Sequence, residues 1–116
     1  MRVCVVTRDE AVEALVREGI KDAEVDVFPD SNQFIDCITL PPEIPRFVFI
    51  DITTIADGVR ATDFIKSSPS IAGIIVVAIA HAGQAEQIGW QPDAVLFYPF
   101  TSAEVNALVT RMRLQR

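Results

Sequence analysis

The chain has 116 residues, of which 50% are hydrophobic and 22% charged, and a formal net charge of −6. That length suits one domain with one core over residues 1–116, and the composition predicts a packed globule rather than a disordered chain. The acidic balance argues against a nucleic-acid surface, because contacts with a phosphate backbone need clustered lysines and arginines. The only basic cluster is better explained as a complement to the dipole of a C-terminal helix, and it consists of Arg111, Arg113 and Arg116.

Cysteine usage and the N-terminal composition indicate a cytoplasmic protein. Cys4 and Cys37 lie in apolar stretches, so we expect reduced, buried thiols rather than a disulfide, and no spacing of His and Cys suggests a metal site. The apolar run before Thr7 is four residues long, far short of a signal-peptide core. No apolar stretch approaches the roughly 18 residues that cross a bilayer, so we expect no membrane contact.

Five segments have the patterns of β-strands. Four are apolar runs without alternation, which is typical of strands buried on both faces of a parallel sheet. The other segment alternates valine with acidic residues, as an edge strand with one wet face does. In chain order the predicted strands are Val3–Val6, Glu24–Phe28, Phe47–Ile50, Ile74–Ala80 and Ala94–Phe97.

A helical pattern follows each strand. The first helix begins with the capping box Thr7-Arg8-Asp9-Glu10, with Thr7 as the N-cap, and ends near Gly19. The last helix begins with a second capping box at Thr101–Glu104 and repeats apolar residues at helical spacing. The other three predicted helices begin at Asp30 or Ser31 and stop before Pro41-Pro42, cover Val59–Lys66, and form a short turn at Gln84–Ile88 that closes at Gly89.

Five consecutive β-α units predict one α/β domain. Right-handed crossovers between parallel strands place helices on both faces of one sheet, which makes a three-layer sandwich. At this length we expect the flavodoxin-like (βα)5 fold, a doubly wound parallel sheet of five strands. Such folds bind ligands or react at the carboxyl ends of their strands. Asp51 is the only carboxylate directly at a strand end, which makes it the first candidate site residue.

Three short motifs, in this order and spacing, resemble those of response-regulator receiver domains over essentially the whole chain. Phe47–Asp51 resembles the third strand of that family and its phosphate-accepting aspartate. Asp57-Gly58-Val59, with the helix after it, resembles the family's Asp-Gly segment. Tyr98-Pro99-Phe100, followed by a capped helix, resembles its Lys-Pro-Phe segment. The resemblance implies the flavodoxin-like fold and a signalling role in a two-component-type pathway.

The resemblance also implies four requirements for phosphoryl transfer, and this sequence meets only the acceptor aspartate. The family holds Mg²⁺ with an acidic pair after the first strand, where this chain has Thr7 and Arg8. A lysine after the fifth strand contacts the phosphoryl oxygens, and its position matches Tyr98. A Ser or Thr after the fourth strand follows the new group, and its position matches Ile79.

Asp51 is therefore a candidate phospho-acceptor whose supporting residues are replaced. No lysine follows Lys66, and residues 71–97 contain no Ser, Thr or Tyr, so a small shift of the alignment restores neither function. We expect Mg²⁺ binding to be weak or absent, because this hard cation prefers oxygen ligands, and we expect no other cofactor. Arg8 has two interpretations: its charge partly replaces the metal and the lysine, or it forms a stable salt bridge with Asp51.

Three further residues are candidates for a role, each with a structural alternative. His81 is either a general base or ligand, or a solvated side chain beside a loop. Tyr98 is either a rotamer switch or a fixed ring that covers the sheet edge. Trp90 is either core packing or an exposed anchor, and tryptophan is enriched in interaction hot spots. We take Trp90, Tyr98 and Phe100 as the candidate interaction residues.

The leading functional hypothesis is a pseudo-receiver, which is a protein-interaction module that keeps the fold and has lost phosphorylation-driven switching. The resemblance implies a protein partner or a homodimer on the face made by the fourth helix, the fifth strand and the last helix. The alternatives are a receiver still phosphorylated at Asp51 by a histidine kinase, and a small-molecule sensor on the same fold. An enzyme is disfavoured, because no nucleophile–base pair or paired carboxylates stand at the strand ends.

Overall fold

The computed structural model describes residues 2–38, 44–55, 58–69, 71, 73–87 and 92–114. The predicted alternation of strands and helices is present, apart from the fourth connection. The elements are β1 (Arg2–Val6), α1 (Glu10–Gly19), β2 (Glu24–Phe28), α2 (Ser31–Ile38), β3 (Phe47–Asp51), α3 (Gly58–Ser67), β4 (Ile75–His81), a 3₁₀ helix (Ala82–Gln87), β5 (Ala94–Tyr98) and α4 (Ser102–Leu114).

The five strands form one sheet in the order β2-β1-β3-β4-β5, and each neighbouring pair is parallel. The predicted doubly wound five-stranded fold is therefore confirmed. All five residues of β3 are buried, as its unbroken apolar run predicts for a central strand. The predicted edge position of β2 is also confirmed, and β5 forms the opposite edge.

Alternate residues of the strands point to opposite faces of the sheet and enter two separate cores. In β3, Phe47 and Phe49 belong to the core under α1 and α4, whereas Val48 and Ile50 belong to the core under α2 and α3. All four side chains are fully buried. Since burying a large apolar side chain contributes about 1.5–3 kcal/mol, β3 anchors both outer layers of the sandwich.

The caps of the first and last helices differ in how well the sequence predicts them. The second capping box is confirmed, because Thr101 Oγ1 accepts from the Glu104 N–H at 3.2 Å and Glu104 Oε1 accepts from the Thr101 N–H at 3.3 Å. The first is wrong, because Asp9 is the N-cap of α1 and its Oδ1 accepts from the Ala11 N–H at 2.8 Å. The Thr7 hydroxyl accepts instead from the Asp9 N–H at 3.0 Å, and it donates to a buried acceptor.

α1 and α4 meet at Gly19, the last residue of α1. A Cβ atom there would lie 2.7 Å from the carbonyl oxygen of Ser102 and 2.7 Å from Cβ of Val105. Asn106 Nδ2 donates to the carbonyl oxygen of Gly19 at 3.0 Å, which supplies a partner at the end of α1. The close approach therefore depends on the missing side chain of Gly19.

The fourth connection and Cys37 differ from the sequence-based expectations. The predicted short helix at Gln84–Ile88 is a 3₁₀ helix at Ala82–Gln87, and residues 88–91, including Trp90, lie outside the described residues. The segment Ala82–Gln87 contains no bulky apolar side chain to form the buried face of an α-helix. Both thiols are free as predicted, but Cys37 is exposed, because Phe34 and Ile38 form the buried face of α2.

Cys4 lies in β1 and is buried, as predicted. Burial raises the pKa of the Cys4 thiol from 9.0 to about 12, because the thiolate loses its hydration there. Within the ranges that the structure covers, no helix is both long and apolar enough to span a membrane.

Candidate functional site

Asp51 ends β3 at the centre of the carboxyl edge of the sheet. Its backbone is in register with Ile79 of β4, and the preceding Ile50 is in register with Val6 of β1. The residue is 0% exposed. A buried carboxyl group is tolerated only where protein groups replace the water that it loses, so its hydrogen bonds determine what the site can do.

Three threonines, Thr7, Thr53 and Thr54, surround the Asp51 carboxylate and are called the threonine shell below. Oδ2 accepts from Thr7 Oγ1 at 2.6 Å and from Thr54 Oγ1 at 3.0 Å. Oδ1 accepts from the Thr53 N–H at 3.0 Å and from the Thr53 hydroxyl. Each oxygen of the carboxylate thus accepts two hydrogen bonds. Together these bonds occupy all of the roughly four lone-pair sites of the carboxylate.

The threonine shell also holds the loop between β1 and α1. Thr7 Oγ1 accepts from the Asp9 N–H at 3.0 Å, and Thr54 Oγ1 accepts from the Arg8 N–H at 3.0 Å. Because Asp9 caps α1, the start of that helix is linked through two hydroxyls to the carboxylate that ends β3. No motif predicted Thr53 and Thr54 as site residues. The available signal was three hydroxyl residues in the two segments that follow β1 and β3.

Arg8 turns away from Asp51. Its Nε donates to the carbonyl oxygen of Pro29 at 2.9 Å, and the residue is exposed. Asp51 takes part in none of the ion pairs found among the described residues. The predicted Arg8–Asp51 salt bridge is therefore wrong. Hydroxyls satisfy the carboxylate in its place, and Arg8 contributes its backbone N–H to the site rather than its guanidinium.

At the matching end of β4, Ile79 is fully buried and belongs to the core under α1 and α4. Three residues after β4, Gln84 joins two loops that flank Asp51. Gln84 Oε1 accepts from the His81 N–H at 2.8 Å, and Gln84 Nε2 donates to the carbonyl oxygen of Ile52 at 3.3 Å. The end of β4 is thus tied to the turn after β3, a contact that no sequence motif predicted.

A chain of three aromatic rings lies at the ends of β4 and β5. The exposed ring of His81 contacts Tyr98 edge to face, with ring centroids 5.5 Å apart. Tyr98 contacts Phe100 in the same manner at 5.8 Å, and the Tyr98–Pro99 peptide bond is cis. Phe100 is 5% exposed and belongs to the core, so it is not available to a partner. Tyr98 is half-buried between the two rings.

The donors around Asp51 do not suit the Mg²⁺ that the family resemblance implies. Hydroxyl and backbone N–H groups occupy the oxygens of Asp51, and Thr7 and Arg8 offer no carboxylate, whereas this cation prefers oxygen ligands with negative charge. Across the described ranges, no group of three His, Cys, Asp or Glu residues is placed to hold a metal ion. Asp57 of the Asp-Gly motif lies outside those ranges.

No protein-family model and no curated protein matches the chain, but solved receiver structures do. The receiver domain of NtrX from Brucella abortus is 24% identical with a TM-score of 0.76, covering 97% of this chain and 98% of that one. The beryllofluoride-activated receiver domain of DrrB, from Thermotoga maritima, is 20% identical with a TM-score of 0.79, covering 99% and 97%.

A third solved structure, the Mn²⁺-bound form of the response regulator Rcp1, is 17% identical with a TM-score of 0.74, covering 97% of this chain and 91% of that one. These similarities extend over nearly the whole chain. The chain therefore has the fold of response-regulator receiver domains, as its three sequence motifs predicted.

Proposed function

We propose that the chain is a pseudo-receiver: a cytoplasmic signalling domain of a two-component-type regulator that acts through protein contacts and no longer switches by phosphorylation. The observation that carries this proposal is the enclosure of Asp51. The side chain is 0% exposed, and its two oxygens accept four hydrogen bonds from the threonine shell.

An enclosed carboxylate is a poor phospho-acceptor for a geometric reason. The attacking oxygen must stand roughly in line with the leaving group, so it needs a free lone pair and access to the donor. Here an attack through Oδ2 would displace its bond to Thr7 or Thr54, and an attack through Oδ1 would displace one of its two bonds to Thr53. The Thr54 and Thr7 hydroxyls also anchor the backbone N–H groups of Arg8 and Asp9, so opening the shell at Oδ2 disturbs the start of α1.

The electrostatics of the site support the same proposal. Phosphoryl transfer to an aspartate adds negative charge, and a reactive site needs cations placed to offset it. The guanidinium of Arg8 is bound to the carbonyl oxygen of Pro29, and Tyr98 and Ile79 stand where the family places its lysine and hydroxyl. A phosphoryl group on Asp51 would therefore meet no compensating charge from these three positions.

Protein contact remains as the means of signalling. We assign it to the β5 face, defined as the 3₁₀ helix Ala82–Gln87 together with β5 and α4. Phe97 of β5 is 45% exposed and gives this face an apolar contact. Tyr98 lies on the same strand. Of the residues predicted from the sequence to bind a partner, Trp90 lies outside the described residues.

The proposal is tested by offering the chain small phosphoryl donors and analogues. We would incubate it with Mg²⁺ and either acetyl phosphate or beryllofluoride, and follow intact mass and fluorine NMR. The DrrB receiver domain, which has a beryllofluoride-activated structure, is the positive control, and Asp51→Asn is the negative control. We expect no adduct with this chain. A saturable adduct that Asp51→Asn abolishes would establish instead a receiver that is still phosphorylated at Asp51.

A further inference from the structure

The two edges of the sheet differ in their chemistry. β2 carries Glu24 and Asp26, and Asp26 Oδ2 binds Arg2 Nε at 2.7 Å. Charged side chains of this kind protect an edge strand from pairing with another chain. β5 consists only of alanine, valine, leucine, phenylalanine and tyrosine, without a charge or a proline, and Phe97 projects into solvent. β5 therefore lacks the protection that β2 has.

An open strand edge is recognised by another extended backbone. Alternate residues of a parallel edge strand direct their N–H and C=O groups away from the neighbouring strand, which offers donors and acceptors to a further strand. Within the described part of the chain, β5 is hydrogen-bonded only to β4. Phe97 and Val95 lie on the same face of β5 and outside both buried cores. They are available as cross-strand contacts.

α4 carries a charge pattern that matches a second copy of itself. Asn106 faces α1, because it donates to the carbonyl oxygen of Gly19 at 3.0 Å. With about 100° of rotation per residue, Glu104 and Arg111 both lie roughly opposite Asn106, and both are exposed. They stand two turns apart, with the acid near the start of α4 and the base near its end. An antiparallel pair of these helices therefore places each acid opposite a base.

We propose that β5 pairs in antiparallel orientation with β5 of a second copy of this chain, which joins two five-stranded sheets into one. The assignment rests on the proposed function, since it names the partner of the β5 face. A twofold axis perpendicular to the sheet makes the two contact surfaces identical, as closed dimers require. It also places the two α4 helices side by side and antiparallel on one face of the joined sheet.

The register follows from maximal overlap of the two strands. Centring the axis on Leu96 pairs all five residues of each β5, with Val95 opposite Phe97 of the second copy and Ala94 opposite Tyr98. The Val95–Phe97 combination joins a β-branched and an aromatic side chain, which stabilises antiparallel neighbours. If the same axis passes midway between Glu104 and Arg111, each Glu104 faces Arg111 of the second copy, and the symmetry makes this contact twice.

The first test measures the dimer directly by sedimentation equilibrium of the full chain. We expect a reversible dimer, with a Kd that Phe97→Lys raises by about tenfold or more, because a charge would enter the centre of the contact. Ile44→Lys is the matched control, since Ile44 is another exposed apolar residue, at 52%, and lies outside the β5 face. We expect it to leave the Kd unchanged. A chain that stays monomeric, or a dimer that is indifferent to Phe97→Lys, would overturn the proposal.

The second test uses charge reversal to establish the antiparallel arrangement. Glu104→Arg and Arg111→Glu should each weaken the dimer, and the double variant should recover most of the loss, because the swapped charges attract again. Glu104→Gln removes the charge of Glu104 and keeps its capping role, since glutamine also completes a capping box. This variant therefore separates the effect of the charge on the dimer from the effect of the cap on α4. If the double variant is no tighter than the single variants, the antiparallel arrangement of α4 is refuted.

The outcomes also separate this proposal from the proposed function. A monomer that forms no adduct with beryllofluoride leaves the pseudo-receiver in place and removes only the β5 pairing. A dimer that appears only after beryllofluoride is bound, and that Phe97→Lys disrupts, supports the contact surface and contradicts the loss of phosphorylation-driven switching. A dimer present without any phosphoryl analogue, in a chain that forms no adduct with beryllofluoride, supports both.

Discussion

Replacing Asp51 by alanine removes the acceptor on which the threonine shell converges. Two hydroxyls lose their bonds to Oδ2, and Thr53 loses the acceptor of both its N–H and its hydroxyl. If the shell is structural, the variant should be less stable than the native chain. If Asp51 were kept only for its reactivity, its burial would cost stability, and its removal would leave the chain unchanged or make it more stable.

The magnitude follows from what each donor can do after the change. A hydrogen bond contributes about 0.5–1.5 kcal/mol net, or up to about 3 kcal/mol to an ionised partner, and a buried donor left unsatisfied costs about 1–3 kcal/mol. The three hydroxyls can rotate towards other acceptors, whereas the Thr53 N–H cannot. Removing the carboxylate also removes its desolvation cost, so the four bonds do not simply add. We expect a loss of about 2–4 kcal/mol.

The assay is urea unfolding followed by circular dichroism, with a thermal melt alongside it. For a domain of this size the expected loss lowers Tm by about 8–16 °C, at about 4 °C per kcal/mol. Asp51→Asn should lose less, because the amide retains one acceptor oxygen. Asp63→Ala, which removes an exposed carboxylate on α3, should change stability by less than about 0.5 kcal/mol. An Asp51→Ala chain as stable as the native one would refute a structural role for the threonine shell.

Gly19→Ala should lower the free energy of unfolding by about 1–3 kcal/mol, because the added Cβ would overlap the backbone of α4. Gly83→Ala should be nearly neutral in the same urea titration, since nothing lies within 4 Å of its added Cβ. Thr7→Val keeps the shape but removes one donor and one acceptor, so it should lose about 1–3 kcal/mol, and an unchanged midpoint would contradict the role of its hydroxyl. In the native chain, iodoacetamide should modify the exposed Cys37 and leave the buried Cys4 unmodified, which mass spectrometry would show. The thiol pKa of Cys4 is raised from 9.0 to about 12, so the unfolded state ionises first and the free energy of unfolding should fall as pH rises above about 9.

Local sequence patterns predicted those parts of the fold in which neighbours along the chain and the tertiary environment favour the same structure. The apolar run Phe47–Ile50 became a strand buried on both faces, and the capping box at Thr101–Glu104 starts α4 with both of its hydrogen bonds. Alternation in Glu24–Phe28 marked an edge strand. In each case the pattern within a few residues already states which side chains are buried and where a helix begins.

Thr7 shows where local patterns lose to contacts between distant residues. In the sequence it has the spacing of an N-cap, but its hydroxyl donates to Asp51, 44 residues further along the chain. While it donates to the fully buried carboxylate, the same hydroxyl accepts from the Asp9 N–H, and Asp9, two residues later, is the N-cap of α1. The salt bridge expected between Arg8 and Asp51 failed for the same reason.

Short stretches of the chain encode periodic burial, which is why the alternation of strands and helices, the flavodoxin-like fold and the position of Asp51 at a strand end could be predicted. The enclosure of Asp51 by Thr7, Thr53 and Thr54 became visible in the folded chain. The folded chain also shows that Phe100 is buried while Phe97 is exposed. Such contacts depend on the register between strands that are far apart in sequence, and no spacing along the chain reports that register.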